Sequence, residues 1–130
     1  MPELDSLNRL HHLGAIRRAK TAAVREASDR AQELRARIMR KEARRRQIAE
    51  EYHPRDAAKH LAEIDREIAT IRDELSDAEA RRDAAGQAFS AAARVHEAAR
   101  RYAAEHGLPM PSEDAAEVNG ISWPQPAKGD

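Results

Sequence analysis

Apolar residues recur along this chain at alternating steps of three and four, in two long runs divided by a single proline. The first run passes through Val24, Ala27, Ala31, Leu34 and Ile38, is interrupted by Lys41 and Arg45, and resumes at Ile48 and Tyr52. The second passes through Ala57, Leu61, Ile64, Ile68, Ile71, Leu75 and Ala78, and continues as Ala85, Phe89, Ala92 and Ala99. A repeat of seven with two apolar positions is the pattern of a helix that buries one seam against another helix. The spacing predicts a helix over about 6–52, opened by Ser6 as an N-terminal cap, and a second over about 55–106. Gly107 followed by Pro109 closes the second helix, since glycine takes the left-handed cap and proline cannot continue the helix. Residues 108–130 carry four prolines and no helical period, and read as an extended tail.

Pro54 stands between the two runs, in "EEYHPRDAAKH". Proline is tolerated in the first turn of a helix and pushes the residue before it, His53, out of helical geometry. Charge decides between a kink and a reversal. Residues 35–46 hold seven basic side chains and one acid, whereas residues 61–79 hold seven acids and two arginines. A turn at about 53–54 lays these opposite blocks side by side, with paired positions summing to about 107. Ile38 then meets Ile68 and Ile71, Leu34 meets Leu75, and Ala31 meets Ala78. The expected fold is all-α: a long antiparallel two-helix hairpin, a coiled coil, over residues 1–107, with a proline-rich tail over 108–130. Each helix would measure roughly 70 Å at about 1.5 Å per residue.

Composition agrees. Of 130 residues 41% are hydrophobic, but 28 are alanine, and only one Phe, one Trp and two Tyr are present. That leaves little from which to build a globular core, and suits long helices. With no cysteine there is neither a disulfide nor a thiolate site. No run approaches the roughly 20 apolar residues of a membrane span, and "MPELDSLNRLHHLG" lacks the layout of a secretory signal. The expected location is cytoplasmic or virion-associated. Arginine outnumbers lysine 19 to 4, which with the alanine content suggests a GC-rich bacterial or bacteriophage genome.

Two helices that touch along one seam bury only a thin line of side chains, so self-association or docking on a larger body is expected. From residue 84 the flanks of the second seam turn from charged to Gly86, Ala88, Ala93, Val95 and Tyr102. Near the amino terminus Leu4, Leu7, Leu10, Leu13 and Ile16 recur every three residues, a spacing that drifts around a helix and outruns any one partner. Leu7, Leu10, Leu13, Ile16, Phe89, Val95 and Tyr102 are therefore candidate docking or self-association residues, unless the tail folds back over them. In the tail, "NGISWPQP" offers Ile121, Trp123, Pro124 and Pro126 as a linear motif for a protein partner, prolines limiting the entropy lost on binding.

The net charge is zero, which argues against general nucleic-acid binding. A local patch of Arg37, Arg40, Lys41, Arg44, Arg45 and Arg46 remains a candidate for an anion or nucleic acid, although its residues also suit pairing across the hairpin. Six histidines invite a metal reading. His11 and His12 are adjacent and point about 100° apart, His96 would reach only one of them, and Glu50 with His53 makes a single Glu-x-x-His where di-iron bundles need two. Neither a metal, another cofactor nor a small-molecule substrate is expected, and no nucleophile or phosphate-loop motif is present.

These features point to a non-enzymatic structural, assembly or scaffold protein that docks on a larger bacterial or phage particle through protein contacts or oligomerises. In architecture alone, such a charged hairpin resembles export-apparatus stalks and phage assembly proteins. The alternatives are a nucleic-acid-associated protein using residues 35–46 and a small adaptor using its Trp-containing tail.

Overall fold

A computed structural model describes residues 2–115 of the chain, with side chains described from Leu4. Two helices account for most of it: α1, Pro2–Glu51, and α2, Pro54–Glu105. They pack against each other as an antiparallel hairpin. α1 begins at Pro2 rather than at the expected Ser6, because proline fits the first turn of a helix, where an amide hydrogen has no partner to lose.

Only Tyr52 and His53 separate the helices. The Tyr52 amide closes α1 on the Ile48 carbonyl at 3.1 Å, and the His53 carbonyl opens α2 by accepting from Ala57 at 2.9 Å. His53 is also the N-terminal cap: its Nδ1 accepts a hydrogen bond from the Arg55 amide at 3.2 Å. Pro54 then occupies the first helical position, where its fixed φ is already helical. The histidine of the Glu-x-x-His motif thus serves as a turn residue.

The chain divides into two compact units. In the first, residues 20–89, Ala31, Leu34, Ile38, Ile48, Ala57, Ile64, Ile68, Ile71 and Ala78 form the buried core, with Leu61 and Leu75 packed on it. Every one of these is a predicted seam position. Tyr52, also placed on the seam, is 46% exposed and lies beside the His60 ring instead, with centroids 6.1 Å apart.

Charge pairing flanks this core. Arg30 reaches Glu74 at 3.4 Å, Arg35 reaches Glu79 at 2.8 Å, Lys41 reaches Glu67 at 2.6 Å, and Arg45 reaches Asp65 at 2.7 Å. Arg72 returns the contact to Glu42 at 3.0 Å. These partners bracket the expected register. The hydrogen bond from Arg45 is the main reason the Asp65 carboxyl lies below the ordinary carboxylate range, and the same bond raises Arg45.

Among the described residues, the second unit comprises 2–19 and 90–115. Here α2 ends as a Schellman motif: Gly107 adopts φ 64°, its amide reaches the Ala104 carbonyl at 3.4 Å, and the Leu108 amide reaches Ala103 at 2.9 Å. The chain beyond is not extended at first. Residues 112–115 make one helical turn, the Ala115 amide bonding the Pro111 carbonyl at 3.0 Å, and both Pro111 and Asp114 are buried. The expected tail therefore folds back over its first residues, because Asp114 has a cationic partner on α2.

Leu34 is 1% exposed in a core only one line of side chains wide. Leu34→Ala should lower unfolding stability by about 2–5 kcal/mol, whereas Met39→Ala, at a position 69% exposed, should change it by less than about 0.5 kcal/mol. Urea denaturation followed by circular dichroism measures both, and equal effects would mean that the seam is not the source of stability.

Candidate functional site

Seam positions on α2 continue past Phe89 and Ala92, but the next buried ones are not apolar. They are His96 and Arg100, 2% and 4% exposed, followed by Ala103. A buried guanidinium requires close partners, since an uncompensated buried charge costs several kcal/mol. Arg100 has such partners: its Nε donates to Asp114 Oδ1 at 2.7 Å and its Nη1 to Glu97 Oε1 at 2.8 Å. Glu97 also accepts from Arg17 Nη1 of α1 at 2.6 Å. Farther out, Arg18 approaches Glu113 at 3.4 Å. One charged network thereby ties α1, α2 and the returning turn together within the terminal unit.

His96 lies inside this network. Arg17 Nη1 stands 3.4 Å from its Nδ1, which favours the tautomer with the proton on Nε2. That Nε2 lies 3.1 Å from Asp114 Oδ1 but is not aligned for a hydrogen bond, so the contact is electrostatic proximity and the nitrogen lacks a hydrogen-bond partner. Asp114 Oδ1 already accepts from Arg100. Burial is the chief cause that lowers the His96 pKa below its ordinary value, aided by the Arg100 charge and then Arg17, and opposed by Asp114 and Glu97. The ring is held neutral. Gly14 of α1 is its neighbour, its Cα hydrogen pointing where a methyl would stand 3.6 Å from Nε2.

This cluster was legible only in part. The alternating three- and four-residue steps carry the α2 seam onto His96 and then Ala99, so they place a polar residue on the seam at His96, whereas Arg100 lies one position beyond the repeat. Nothing in the local pattern names Asp114 as the partner. Of the histidines considered for a cross-helix pair, His11 and His12 are exposed, whereas His96 is buried. Among the described residues, no three His, Asp or Glu side chains gather as a metal site.

The candidate docking residues divide. Leu10 is buried within the chain at 1% exposure, so it is a packing residue rather than a docking one. Leu7, Leu13, Ile16 and Phe89 are half-buried. Val95 and Tyr102 are 49% and 57% exposed. They belong to a second series on α2, Ala91, Val95, Ala98 and Tyr102, spaced four, three and four, with all four exposed. Tyr102 is stacked on His106 at 4.0 Å between centroids, and the His106 Nδ1–H donates to the Tyr102 carbonyl at 2.9 Å. Ile121, Trp123, Pro124 and Pro126 lie outside the described residues.

Two of the six residues of the basic patch are committed to ion pairs. Lys41 and Arg45 pair with Glu67 and Asp65. Arg44 meets only the Gln47 amide oxygen, at 3.0 Å. Among the described residues, Arg37, Arg40, Arg44 and Arg46 have no carboxylate within ion-pair distance.

No family model, no curated protein and no solved structure matches this chain. None of the described helices is long and apolar enough to cross a membrane.

The His96 environment sets a pH dependence. Its folded pKa is depressed, so below about pH 6.5 the unfolded chain binds a proton that the folded chain refuses. Stability should therefore fall as pH drops from 7.5 towards 5.5, and the fall should be shallower in His96→Gln. Thermal melts at stepped pH test this, and parallel curves for the two proteins would refute it. Asp114→Ala, which removes one partner of buried Arg100, should cost about 3 kcal/mol at neutral pH.

Proposed function

We propose that this chain is a non-enzymatic assembly or scaffold protein, a paired-helix element that docks through protein contacts on a larger bacterial or bacteriophage body. One observation supports this reading above others: the exposed series Ala91, Val95, Ala98 and Tyr102 on α2. Its spacing is that of a coiled-coil seam, yet the seam facing α1 is a different one, which passes through His96, Arg100 and Ala103. α2 thus carries a buried face and, about 100° away from it, an apolar stripe that is open to solvent. Small residues at alternate positions let a partner helix approach closely, while Val95 and Tyr102 supply the larger contacts. An aromatic at such a position is a common source of interface energy.

The expected outcome is that the protein purified from its native source carries a stoichiometric protein partner, seen by native mass spectrometry. Val95→Glu with Tyr102→Glu should lose that partner and leave the helical circular dichroism signal unchanged. Retention of the partner by this variant would refute the stripe as the docking surface.

Arg37, Arg40, Arg44 and Arg46, with no carboxylate partners, favour a second reading as a nucleic-acid-associated protein. Titration with duplex DNA across a salt series separates the two readings, since phosphate contacts give an affinity that falls steeply with salt. The adaptor reading is tested by deleting residues 116–130, which leaves Asp114 in place and should abolish capture of a partner only if the tail carries it.

A further inference from the structure

The unpaired arginines lie on one face of α1 together with a matching set of acids. Glu26, Asp29 and Glu33 precede Arg37, Arg40 and Arg44 at steps of three, four, four, three and four, so all six fall within one flank of the helix. Along these six positions the signs are segregated, three acids then three bases, while Arg30 on the same side of the helix is held by Glu33 and Glu74. Within one helix this arrangement is unfavourable, because like charges three and four apart repel by about 0.2–0.5 kcal/mol per pair. A face that merely meets solvent gains nothing from such ordering.

The pattern is complementary to itself when reversed. Laid antiparallel on a second copy about a two-fold axis near residue 35, Glu26 faces Arg44, Asp29 faces Arg40, and Glu33 faces Arg37. The axis repeats each pair, so the set closes as an isologous dimer requires. Within the chain these residues are largely uncommitted. Glu33 holds only its own neighbour Arg30 at 3.4 Å, and the three arginines hold no carboxylate.

Packing space lies beside the acids. Between the helices of this unit opens a cleft of about 930 Å³ where the seam thins to Ala23, Ala27, Ala78 and Ala85. Five carboxylates and two arginines line it, so it is acidic, and Glu26 and Glu33 stand in its wall. Methyl groups cannot fill what isoleucines fill elsewhere along the seam. The alkyl stems of Arg37 and Arg44 from a facing copy are of a kind to lie over this alanine floor with their guanidinium groups at the acidic rim.

We propose that this flank of α1 is a self-association surface that pairs two copies of the chain antiparallel through Glu26, Asp29 and Glu33 against Arg37, Arg40 and Arg44. It is separate from the Val95 and Tyr102 stripe and does not depend on it. Exposed ion pairs set orientation more than strength, so the dimer is salt-sensitive.

Charge exchange tests it on the full chain, freed of nucleic acid and followed by sedimentation velocity. Wild type should be dimeric at low salt and shift towards monomer at about 1 M salt, where the Debye length is about 3 Å. Glu26→Arg with Glu33→Arg makes five of the six charges basic, leaving Asp29, and Arg37→Glu with Arg44→Glu makes five of the six acidic, leaving Arg40. Each variant alone should be monomeric, and an equimolar mixture should form a heterodimer. Monomeric wild type at low salt, dimers in both separate variants, or a dimer lost only in Val95→Glu with Tyr102→Glu would each overturn the proposal. So would arginines that bind DNA in preference to a second copy.

Discussion

Burial of Leu34, Ile38, Ile64, Ile68 and Ile71 along a single line is what holds α1 to α2 in the turn-bearing unit. Helices of 50 and 52 residues that are mostly polar have no other reason to lie together, since their exposed ion pairs contribute little each. The line is narrow because aromatic residues are nearly absent and alanine is abundant. Where branched aliphatics give way to Ala23, Ala27, Ala78 and Ala85, the contact loosens into an open cleft. Position along the seam thus decides whether the helices close on each other or leave room for something else.

The turn obeys the same economy. A reversal between two long helices must satisfy the free amides at the start of α2, and His53 does this with its own ring while Pro54 removes one donor altogether. The connection needs no glycine and leaves Tyr52 outside the core. Opposite charge blocks then favour the reversed arrangement over a continuous helix, because only reversal brings Lys41 to Glu67 and Arg45 to Asp65. Charge chooses the partner here, and burial holds it.

Most of this was legible in the sequence because a heptad is a local signal. Each buried aliphatic of the turn-bearing unit sits at a position that the repeat predicts, and the helix ends follow from Pro54 and Gly107. What escaped was whatever depends on residues distant in sequence and polar in character. Asp114 lies in a stretch rich in proline, and only the folded chain brings it to Arg100. Val95 and Tyr102 were legible as flank positions open to a partner, but that Ala91 and Ala98 extend them into one exposed series shows only once the buried face of α2 is seen to pass through His96. The missed signal was His96, a polar residue at a seam position of α2, beside which Arg100 is buried against Asp114 and Glu97.

Buried charge also gives the terminal unit a different character from the aliphatic one. Apolar contacts tolerate small shifts of register, but Arg100 between Asp114 and Glu97 does not, because either carboxylate misplaced leaves a buried cation without compensation. The network is costly in stability compared with packed aliphatics, and what it supplies is position. Asp114 draws the chain after Gly107 back onto α2, beside His96. The neutral imidazole belongs to the same logic: a third cation between Arg17 and Arg100 would weaken the hold on Asp114 and Glu97, and burial keeps it uncharged. A seam of aliphatics can join any two helices of suitable period, whereas this arrangement of five polar side chains specifies one return path for one segment of chain.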